Sequence, residues 1–299
     1  MQLQGIINLQ TYSRPSILEL CLDSISQSYE SANLDKLIIL QVGNPKVESL
    51  VNSFEHEAKS TTVIKVDGKN RSPLQNMNWN RWIAWQHGFE VMGADWILSI
   101  EEDVSLHPNT LVFVREIMEL MQDQRDFKGI NLGSKLHDVN LNGTFSKLRF
   151  GLHGCGAAIT LKTWEEIKRL GVKNKIDDFP LDVCIEHILK SGFMVTPNLS
   201  HYLDYGWFQG THTNPNSQDP HYREVLSSFN SNINGISGFV HKQANHGWRE
   251  DCVEYIKKDN LKFKFRKYLS ILWTTHSFQN FYLFMRNYKR RIMRRPQVR

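Results

Sequence analysis

The sequence predicts an α/β protein: a mixed, mostly parallel sheet flanked by helices, followed by a basic helical tail. Short apolar runs alternate with segments of helical periodicity, and a chain of 299 residues is long enough to bury a large core. With 40% hydrophobic and 22% charged residues, the composition is that of a folded globular protein. Alternating strands and helices form βαβ units, whose sheets bind ligands at the carboxyl ends of their strands.

Four apolar runs in the first part of the chain predict strands. These runs span residues 5–10, 37–42, 62–66 and 95–100. After the first run, apolar residues recur at helical spacing from Ser16 to Tyr29, and Pro15 suits the first turn of a helix because its φ is already helical. The aromatic-rich stretch 76–92 predicts a second helix, so strands and helices alternate up to residue 100.

The pattern continues beyond Pro108, with more Gly and Asn between the periodic segments. The expected elements are a helix at 109–121, a strand at 155–160, a helix at 162–170, a loop at 171–181, a helix at 182–191 and a strand at 193–196. The aromatic and His-containing run 201–221 lacks periodicity and is expected to be a loop. The Ser-, Asn- and Gly-rich stretch 225–247 predicts the end of the main domain, which we place at 1–235, with an extension at 236–299.

The C-terminal residues differ in charge from the rest of the chain. Residues 261–299 hold eleven Lys and Arg and no Asp or Glu, and subtracting them from the totals leaves a net charge of −6 on residues 1–260. Apolar residues between Phe278 and Met285 recur at helical spacing opposite basic ones, as in helices that lie in a membrane interface. The alternative is that this apolar stripe packs on the main domain. We expect an anionic membrane surface as a partner and no nucleic acid, because the main body is acidic.

Cysteine usage and the N-terminal residues predict the compartment. The four cysteines are widely separated and form no C-x-x-C pair, as in a reduced protein. The first residues lack the basic region of a signal peptide, and no run of 18 apolar residues exists. These observations predict a cytoplasmic protein that is attached peripherally to the inner face of the membrane through its tail.

The segment "WILSIEEDVSLHP", residues 96–108, runs from an apolar strand directly into Glu101, Glu102 and Asp103. A solvated acidic turn is one interpretation. At the end of a buried strand, however, these carboxylates would lie beside the ligand crevice, where they repel one another unless a cation compensates. Oxygen ligands suit Mn²⁺ and Mg²⁺, which also bind diphosphate oxygens. The segment therefore predicts a divalent metal site.

Several segments in order resemble the GT-A glycosyltransferases, which transfer sugar from a nucleotide diphosphate. "TYSRP" and the helix after it resemble their first βα unit, and the Glu-Glu-Asp segment resembles their Asp-x-Asp metal motif. "GLHGCGAAITLKTWEEI", "KIDDFPLDV" and "SHYLDYGWFQGTH" follow in the order found in N-acetylglucosaminyltransferase I and its protein-O-mannose relatives. Family-2-type transferases share the first half. The resemblance, over about residues 5–215, implies a GT-A (Rossmann-like) domain with a nucleotide-binding half at about 1–108 and an acceptor half at about 109–235.

By position, the resemblance implies three donor-binding residues. Arg14 would contact the nucleotide, and an Arg after the first strand can reach an anionic ligand. Asp67, after the third strand, would bind the uracil or ribose edge. Asn80 stands where that family carries a nucleotide-contacting His, a departure from its pattern.

The resemblance also implies the ligands of the metal. Asp103 would hold Mn²⁺ or Mg²⁺, while Glu101 and Glu102 would support it or orient ribose and metal-bound water. The triplet reads Glu-Glu-Asp where the family has Glu-Asp-Asp. His212 lies in a Gly-, Thr- and Asn-containing loop, where it is either a further metal or diphosphate contact or a structural residue.

Three aspartates are candidates for the catalytic base. The double Asp, Asp178 and Asp177, matches the position of the family's base, whereas Asp182 resembles the base of family-2 enzymes and equally suits the N-cap of the next helix. Trp207 would cover the donor or acceptor sugar. The glycines of "GLHGCG", including Gly154, permit close backbone approach to a sugar.

Together these features predict a metal-dependent inverting glycosyltransferase that uses a UDP-sugar, with GlcNAc as the candidate sugar and a glycan or lipid-linked glycan as acceptor. A retaining transferase on the same fold with another donor is the alternative enzyme. A nucleotide-sugar- or carbohydrate-binding protein without turnover is the alternative from another class, because the same aromatics and carboxylates would bind ligand there.

Overall fold

The computed structural model confirms an α/β fold with a mixed, mostly parallel sheet. It describes residues 3–58, 60–68, 71–132, 145–148, 156–170, 181, 192–197 and 201–204. All of these belong to the first of two units into which the chain divides, Met1–Trp248 and Arg249–Arg299. The predicted domain boundary and the C-terminal extension lie outside the described residues.

Ten strands and five α-helices are described within these residues. The strands are β1 (Gly5–Thr11), β2 (Asp35–Gln41), β3 (Thr61–Val66), β4 (Trp96–Glu101), β5 (Val104–Leu106), β6 (Phe127–Asn131), β7 (Phe145–Leu148), β8 (Gly156–Thr160), β9 (Phe193–Pro197) and β10 (Tyr202–Asp204). The helices are α1 (Pro15–Gln27), α2 (Pro45–Glu57), α3 (Pro73–Glu90), α4 (Thr110–Met121) and α5 (Leu161–Arg169). A single 3₁₀ turn, Ser31–Asn33, precedes β2.

Eight strands form one sheet in the order β3-β2-β1-β4-β8-β6-β9-β7, and β5 pairs with β10 in a second, two-stranded sheet. The first four strands run parallel, in the order of one half of a dinucleotide-binding sheet. β8 lies antiparallel between β4 and β6. Beyond it, β6 and β9 are parallel, and β7 closes the edge antiparallel to β9.

The core on one face of the sheet is built around aromatic residues of α3. Trp82, Trp85 and Phe89 are buried against the central strands. Trp164 of α5 joins them edge-on, with its ring centre 4.7 Å from that of Trp82. The indole of Trp85 also donates to Ser99 Oγ on β4 at 2.9 Å. These contacts hold α3 against β4, next to the acidic end of that strand.

Several elements were not predicted from the sequence: α2, β5, β6, β7 and β10. Asp204 and its two neighbours in β10 fall inside the run that was expected to be a loop, so that expectation is wrong for this short part. Three-residue strands such as β5 and β10 form only by pairing with a strand that is distant in the sequence, so no local sequence pattern predicts them. Of the predicted loop at 171–181 only Leu181 is described, and it is helical rather than in a loop; the predicted helix at 182–191 lies outside the described residues.

None of the helices in the described ranges has both the length and the apolar character needed to cross a membrane.

Candidate active site

The order of the strands determines where a ligand crevice lies. β1 is bordered by β2 on one side and by β4 on the other. The chain therefore passes from β1 to β2 on one side of β1, and from β3 to β4 on the other side, so the strand order reverses at β1. In open α/β sheets such a switch point is where ligands bind. Here the loop Tyr12–Arg14 follows β1, while β4 ends at Glu101 and is followed by Glu102 and Asp103. The predicted nucleotide loop and the predicted metal segment therefore meet.

Glu102 is bound on both of its oxygens by the loop after β1. Its Oε2 accepts from the backbone N–H of Tyr12 at 2.5 Å, and its Oε1 accepts from the N–H of Ser13 at 3.3 Å and from Arg14 Nε at 2.9 Å. The residue is 0% exposed. A fully buried carboxylate with three donors joins the loop to β4, and both of its oxygens already accept hydrogen bonds.

Asp103 shares Arg14 with Glu102 and keeps one oxygen free. Arg14 Nη2 donates to Asp103 Oδ2 at 2.8 Å. Asp103 Oδ1 is buried and accepts no hydrogen bond. The two carboxylates raise the pKa of Arg14 above its usual value, against the opposing effect of burial. Asp103 Oδ1 is the one buried carboxylate oxygen of the segment that accepts no hydrogen bond.

Glu101 points to the other side of the strand, where it meets a buried arginine. Arg81 of α3, which is 2% exposed, donates to Glu101 Oε1 at 2.7 Å. Burial raises the pKa of the Glu101 carboxyl; Arg81 opposes this shift, and the charge of Asp103 adds to it. The pair holds the end of β4 against α3 and neutralises the first carboxylate of the segment.

The charges of this cluster do not balance. Three carboxylates face two guanidinium groups, Arg14 and Arg81. Among the residues that the structure describes, one negative charge is left without a partner, and the buried carboxylate oxygen that accepts no hydrogen bond is Asp103 Oδ1. No group of three or more potential ligand side chains exists in the described part of the chain. The arrangement therefore fits Mn²⁺ or Mg²⁺ held by one carboxylate together with water and ligand oxygens, which is how Mg²⁺ is commonly bound at phosphate sites.

Asp67 and Asn80 lie at the same carboxyl edge. Asp67 is exposed and directly follows β3, two strands away from β1, which is about 10 Å at ordinary strand spacing. Asn80 is 3% exposed, and its Nδ2 has no hydrogen-bond partner. The side chain of Gln10, opposite Glu101 in the pairing of β1 with β4, is also buried with its Nε2 unpartnered. The edge thus holds unused donors as well as carboxylates.

Six predicted residues lie outside the described residues, so their positions stay predictions. They are Gly154, Asp177, Asp178, Asp182, Trp207 and His212. Leu181, immediately before Asp182, is described. It is buried, and its backbone N–H donates to Asn78 Oδ1 of α3 at 3.2 Å. Leu181 is therefore attached to the helix that carries Asn80 and Arg81.

Sequence reasoning missed Arg81 and the backbone amides of Tyr12 and Ser13. A signal for Arg81 existed, because it lies four and eight residues before Trp85 and Phe89 and therefore on the buried side of α3. A charged residue on an apolar stripe requires a buried partner. The two amides could not be found in this way, because any residue type supplies an N–H.

Comparisons with known proteins give similarity of fold only. No family model and no curated protein matches the chain. The chain is similar to the structure of S. aureus TarS 1-349 in complex with UDP-GlcNAc, with a TM-score of 0.49, 11% identity, and 87% of this chain and 77% of that chain covered. It is also similar to galactosyltransferase LgtC in complex with donor and acceptor sugar analogs, with a TM-score of 0.40, 11% identity, and coverage of 74% and 82%.

A third similar structure is UDP-glucose pyrophosphorylase complexed with UDP-glucose, with a TM-score of 0.41, 10% identity, and coverage of 77% of this chain and 98% of that one. All three TM-scores lie below 0.5.

Proposed function

We propose that the protein is a metal-dependent, inverting glycosyltransferase that uses a UDP-sugar, with GlcNAc as the first donor to test. The observation that carries the proposal is the acidic cluster at the switch point of the sheet, which is one positive charge short of neutrality among the described residues and leaves Asp103 Oδ1 unpartnered. A divalent cation that carries a nucleotide diphosphate supplies the missing charge at that oxygen.

Each residue at this edge has a role in donor binding that follows from its chemistry. Asp103 would hold the metal, and Arg14 provides a guanidinium for a diphosphate oxygen. Asp67 can accept from a uracil N–H or a ribose hydroxyl, and Gln10 and Asn80 offer amide donors to the same nucleoside. When bound, Mn²⁺ or Mg²⁺ supplies Lewis-acid stabilisation of the charge on the departing diphosphate.

The base is proposed among the aspartates near Leu181. In an inverting reaction one carboxylate removes the proton of the acceptor hydroxyl while that oxygen attacks the anomeric carbon opposite the diphosphate. The hydrogen bond between Leu181 and Asn78 supports a location beside α3. We assign the role to Asp178 first, then to Asp177 and Asp182.

Nucleotide-sugar binding by the full chain tests the proposal. Purified protein is titrated with UDP-GlcNAc, other UDP-sugars, and GDP- and CMP-sugars, with Mn²⁺ or with EDTA, by calorimetry. We expect binding of a UDP-sugar that requires the metal, and Asp103→Asn should weaken it by a factor on the order of 100. The exposed residue Asp123, on the far side of α4, provides the control Asp123→Asn. Absence of metal-dependent binding of every nucleotide sugar contradicts the proposal.

Turnover separates the enzyme from a protein that only binds. Asp178→Asn should leave donor binding unchanged and abolish release of UDP in the presence of acceptor glycans. If Asp178→Asn retains transfer, the same measurement on the Asn variants of Asp177 and Asp182 identifies the base. Wild-type protein that binds a UDP-sugar but transfers to no acceptor and does not hydrolyse it would favour the binding protein. Anomeric configuration of the product distinguishes inversion from retention.

A further inference from the structure

Arg14 is hydrogen-bonded to Asp103, the carboxylate that is proposed to bind the metal. Its guanidinium makes two hydrogen bonds that differ in their surroundings: Nε binds Glu102, which is 0% exposed, and Nη2 binds Asp103 Oδ2. The Arg14 side chain itself is 29% exposed. One end of the fork is therefore anchored on a fully buried carboxylate, while the other end is bound to Asp103, whose side chain is 11% exposed.

The anchor does not depend on Asp103. Glu102 also accepts the backbone N–H groups of Tyr12 and Ser13, so its position is set by the loop after β1 as well as by Arg14. Arg14 lies at the N-cap of α1, and its own carbonyl accepts from Leu18 at 2.9 Å, which fixes its backbone. The Nη2 group can thus exchange its partner while Nε stays bound to Glu102.

We propose that Arg14 acts as a gate on Asp103: its guanidinium competes with the divalent cation for that carboxylate, and it transfers to the donor diphosphate when metal and nucleotide bind together. This inference rests on the proposed function. Two cations next to one carboxylate repel each other, so metal alone must displace Nη2 or bind only at Oδ1. A diphosphate removes the conflict, because it offers anionic oxygens to both the guanidinium and the metal.

The gate makes metal and nucleotide binding mutually dependent. Free protein binds Mn²⁺ weakly, and nucleotide raises its affinity for the metal; by linkage, Mn²⁺ raises the affinity for nucleotide by the same factor. Direct contact between the metal and the diphosphate couples the two ligands in any case; the gate adds to this coupling, whereas a purely structural Arg14 adds nothing to it. The gate would favour loading of the site with metal and donor together over loading with metal alone.

Mn²⁺ binding to the full chain without nucleotide tests the gate directly. Free Mn²⁺ is measured by electron paramagnetic resonance for wild type and for Arg14→Met, which removes the charge but keeps most of the side-chain volume. We expect Arg14→Met to bind Mn²⁺ alone about tenfold more tightly than wild type, and to bind UDP alone more weakly. These opposite signs are not produced by general loss of structure.

Arg115→Met is the matched control. Arg115 of α4 is 24% exposed and pairs with Glu30 through Nε at 2.7 Å, near the amino ends of the strands and away from Asp103. This variant should leave both affinities unchanged. If Arg14→Met does not fold, Arg14→Gln also removes the charge but keeps an N–H donor, and it should likewise bind Mn²⁺ more tightly than wild type.

The outcomes separate the gate from the proposed function. Tighter Mn²⁺ binding by the Arg14 variant, with a smaller effect of UDP on Mn²⁺ affinity, supports the gate. Equal or weaker Mn²⁺ binding by the folded variant overturns it, even if wild type binds UDP-sugars as proposed. If the Arg14 variant binds Mn²⁺ more tightly but wild type binds no nucleotide sugar, the competition at Asp103 is supported and the proposed transferase function is contradicted.

Discussion

At the scale of single residues, the acidic triplet divides into three different roles because successive side chains after a strand point in different directions. Glu101 turns to α3 and Arg81, Glu102 turns to the loop after β1, and Asp103 keeps an oxygen for a ligand. Only the last of these matches what a metal ligand must offer. Glu102 instead positions the loop after β1. This role explains why the segment contains an additional acidic residue.

Glu102→Ala tests this positioning role through stability. Removal of the buried carboxylate leaves two backbone N–H groups and part of a guanidinium without an acceptor in a partly buried place. We expect the free energy of unfolding to fall by about 3 kcal/mol in urea denaturation.

Glu165→Ala is the control for this variant, since the side chain of Glu165 is 57% exposed and forms only a surface ion pair with Lys168. Its loss should stay within about 0.5 kcal/mol. Equal losses in the two variants would contradict the role of Glu102.

At the scale of elements, contacts at the ends of helices position the residues of the candidate site. α3 begins with a capping box, in which the Ser72 hydroxyl accepts from the N–H of Gln75 and the Gln75 side chain accepts from the N–H of Ser72. Asn76, in the same turn, donates to the carbonyl of Gly68 at 3.2 Å, next to Asp67. The start of α3 is thereby joined to the end of β3.

Ser72→Ala should reduce the free energy of unfolding by about 1 kcal/mol, because an orphan N–H at the helix start loses its acceptor. Ser72 is exposed, so the change removes no packing. Ser53→Ala, at an exposed position inside α2, is the control and should be neutral or slightly stabilising. Urea denaturation of both variants measures the difference; a loss no larger than in the control would exclude the cap as its cause.

Two buried histidines, His107 and His201, lie at the end of the two-stranded sheet, directly after β5 and directly before β10. The His107 N–H donates to the carbonyl of His201, and the His201 ring stacks on Phe113 at 4.5 Å. Burial lowers the pKa of His107 to about 4, and burial together with His107 lowers the pKa of His201 to about 3. Both rings are therefore neutral in the folded protein at neutral pH.

This pair predicts loss of stability in mild acid. A histidine whose folded pKa lies below its unfolded value of about 6.5 binds fewer protons when folded, so the free energy of unfolding falls as the pH drops below 6.5. Between pH 7 and pH 5 the loss is roughly 2 kcal/mol for each ring. Urea denaturation at the two pH values measures it.

His201→Phe should remove about half of this pH dependence, whereas His56→Gln, at an exposed position of α2, should leave it unchanged. If the wild-type protein is equally stable at pH 5 and pH 7, the two rings are not buried as neutral groups.

At the scale of the whole molecule, charge is distributed unevenly along the chain. We propose that the eleven basic residues of 261–299 hold the protein on an anionic membrane at the cytoplasmic face, where a lipid-linked acceptor would be met. The tail lies outside the described residues, so this proposal rests on its composition.

Deletion of residues 261–299 should abolish sedimentation of the protein with vesicles that contain anionic phosphatidylserine. Binding of the full chain should weaken steeply with added salt and be absent on neutral phosphatidylcholine vesicles. Unchanged association after the deletion would contradict the proposal and favour packing of the tail on the main domain.

Local sequence patterns predicted those elements whose type depends on residues that are neighbours in the chain. β1, β2, β3 and β4 are apolar runs, and α1 and α4 carry apolar residues at helical spacing with Pro near their starts. α2 was missed although it has the same signature, with Pro45 after the capping residue Asn44 and Val47, Val51 and Phe54 buried on one side. That signal was available. β10 gave no such signal, because its three residues form a strand only by pairing with β5.

The sequence by itself determined that this is an α/β protein and that acidic residues end a central strand, because both properties depend on residues next to each other in the chain. It also placed Arg14, Asp67, Asn80 and the acidic triplet at one edge, since parallel strands share their carboxyl ends. Only the tertiary structure decided which partner each charge takes: Arg81 for Glu101, the loop after β1 for Glu102, and a shared Arg14 for Asp103. Those pairings join residues about 20 to 90 positions apart, where distance in the chain carries no information about distance in space.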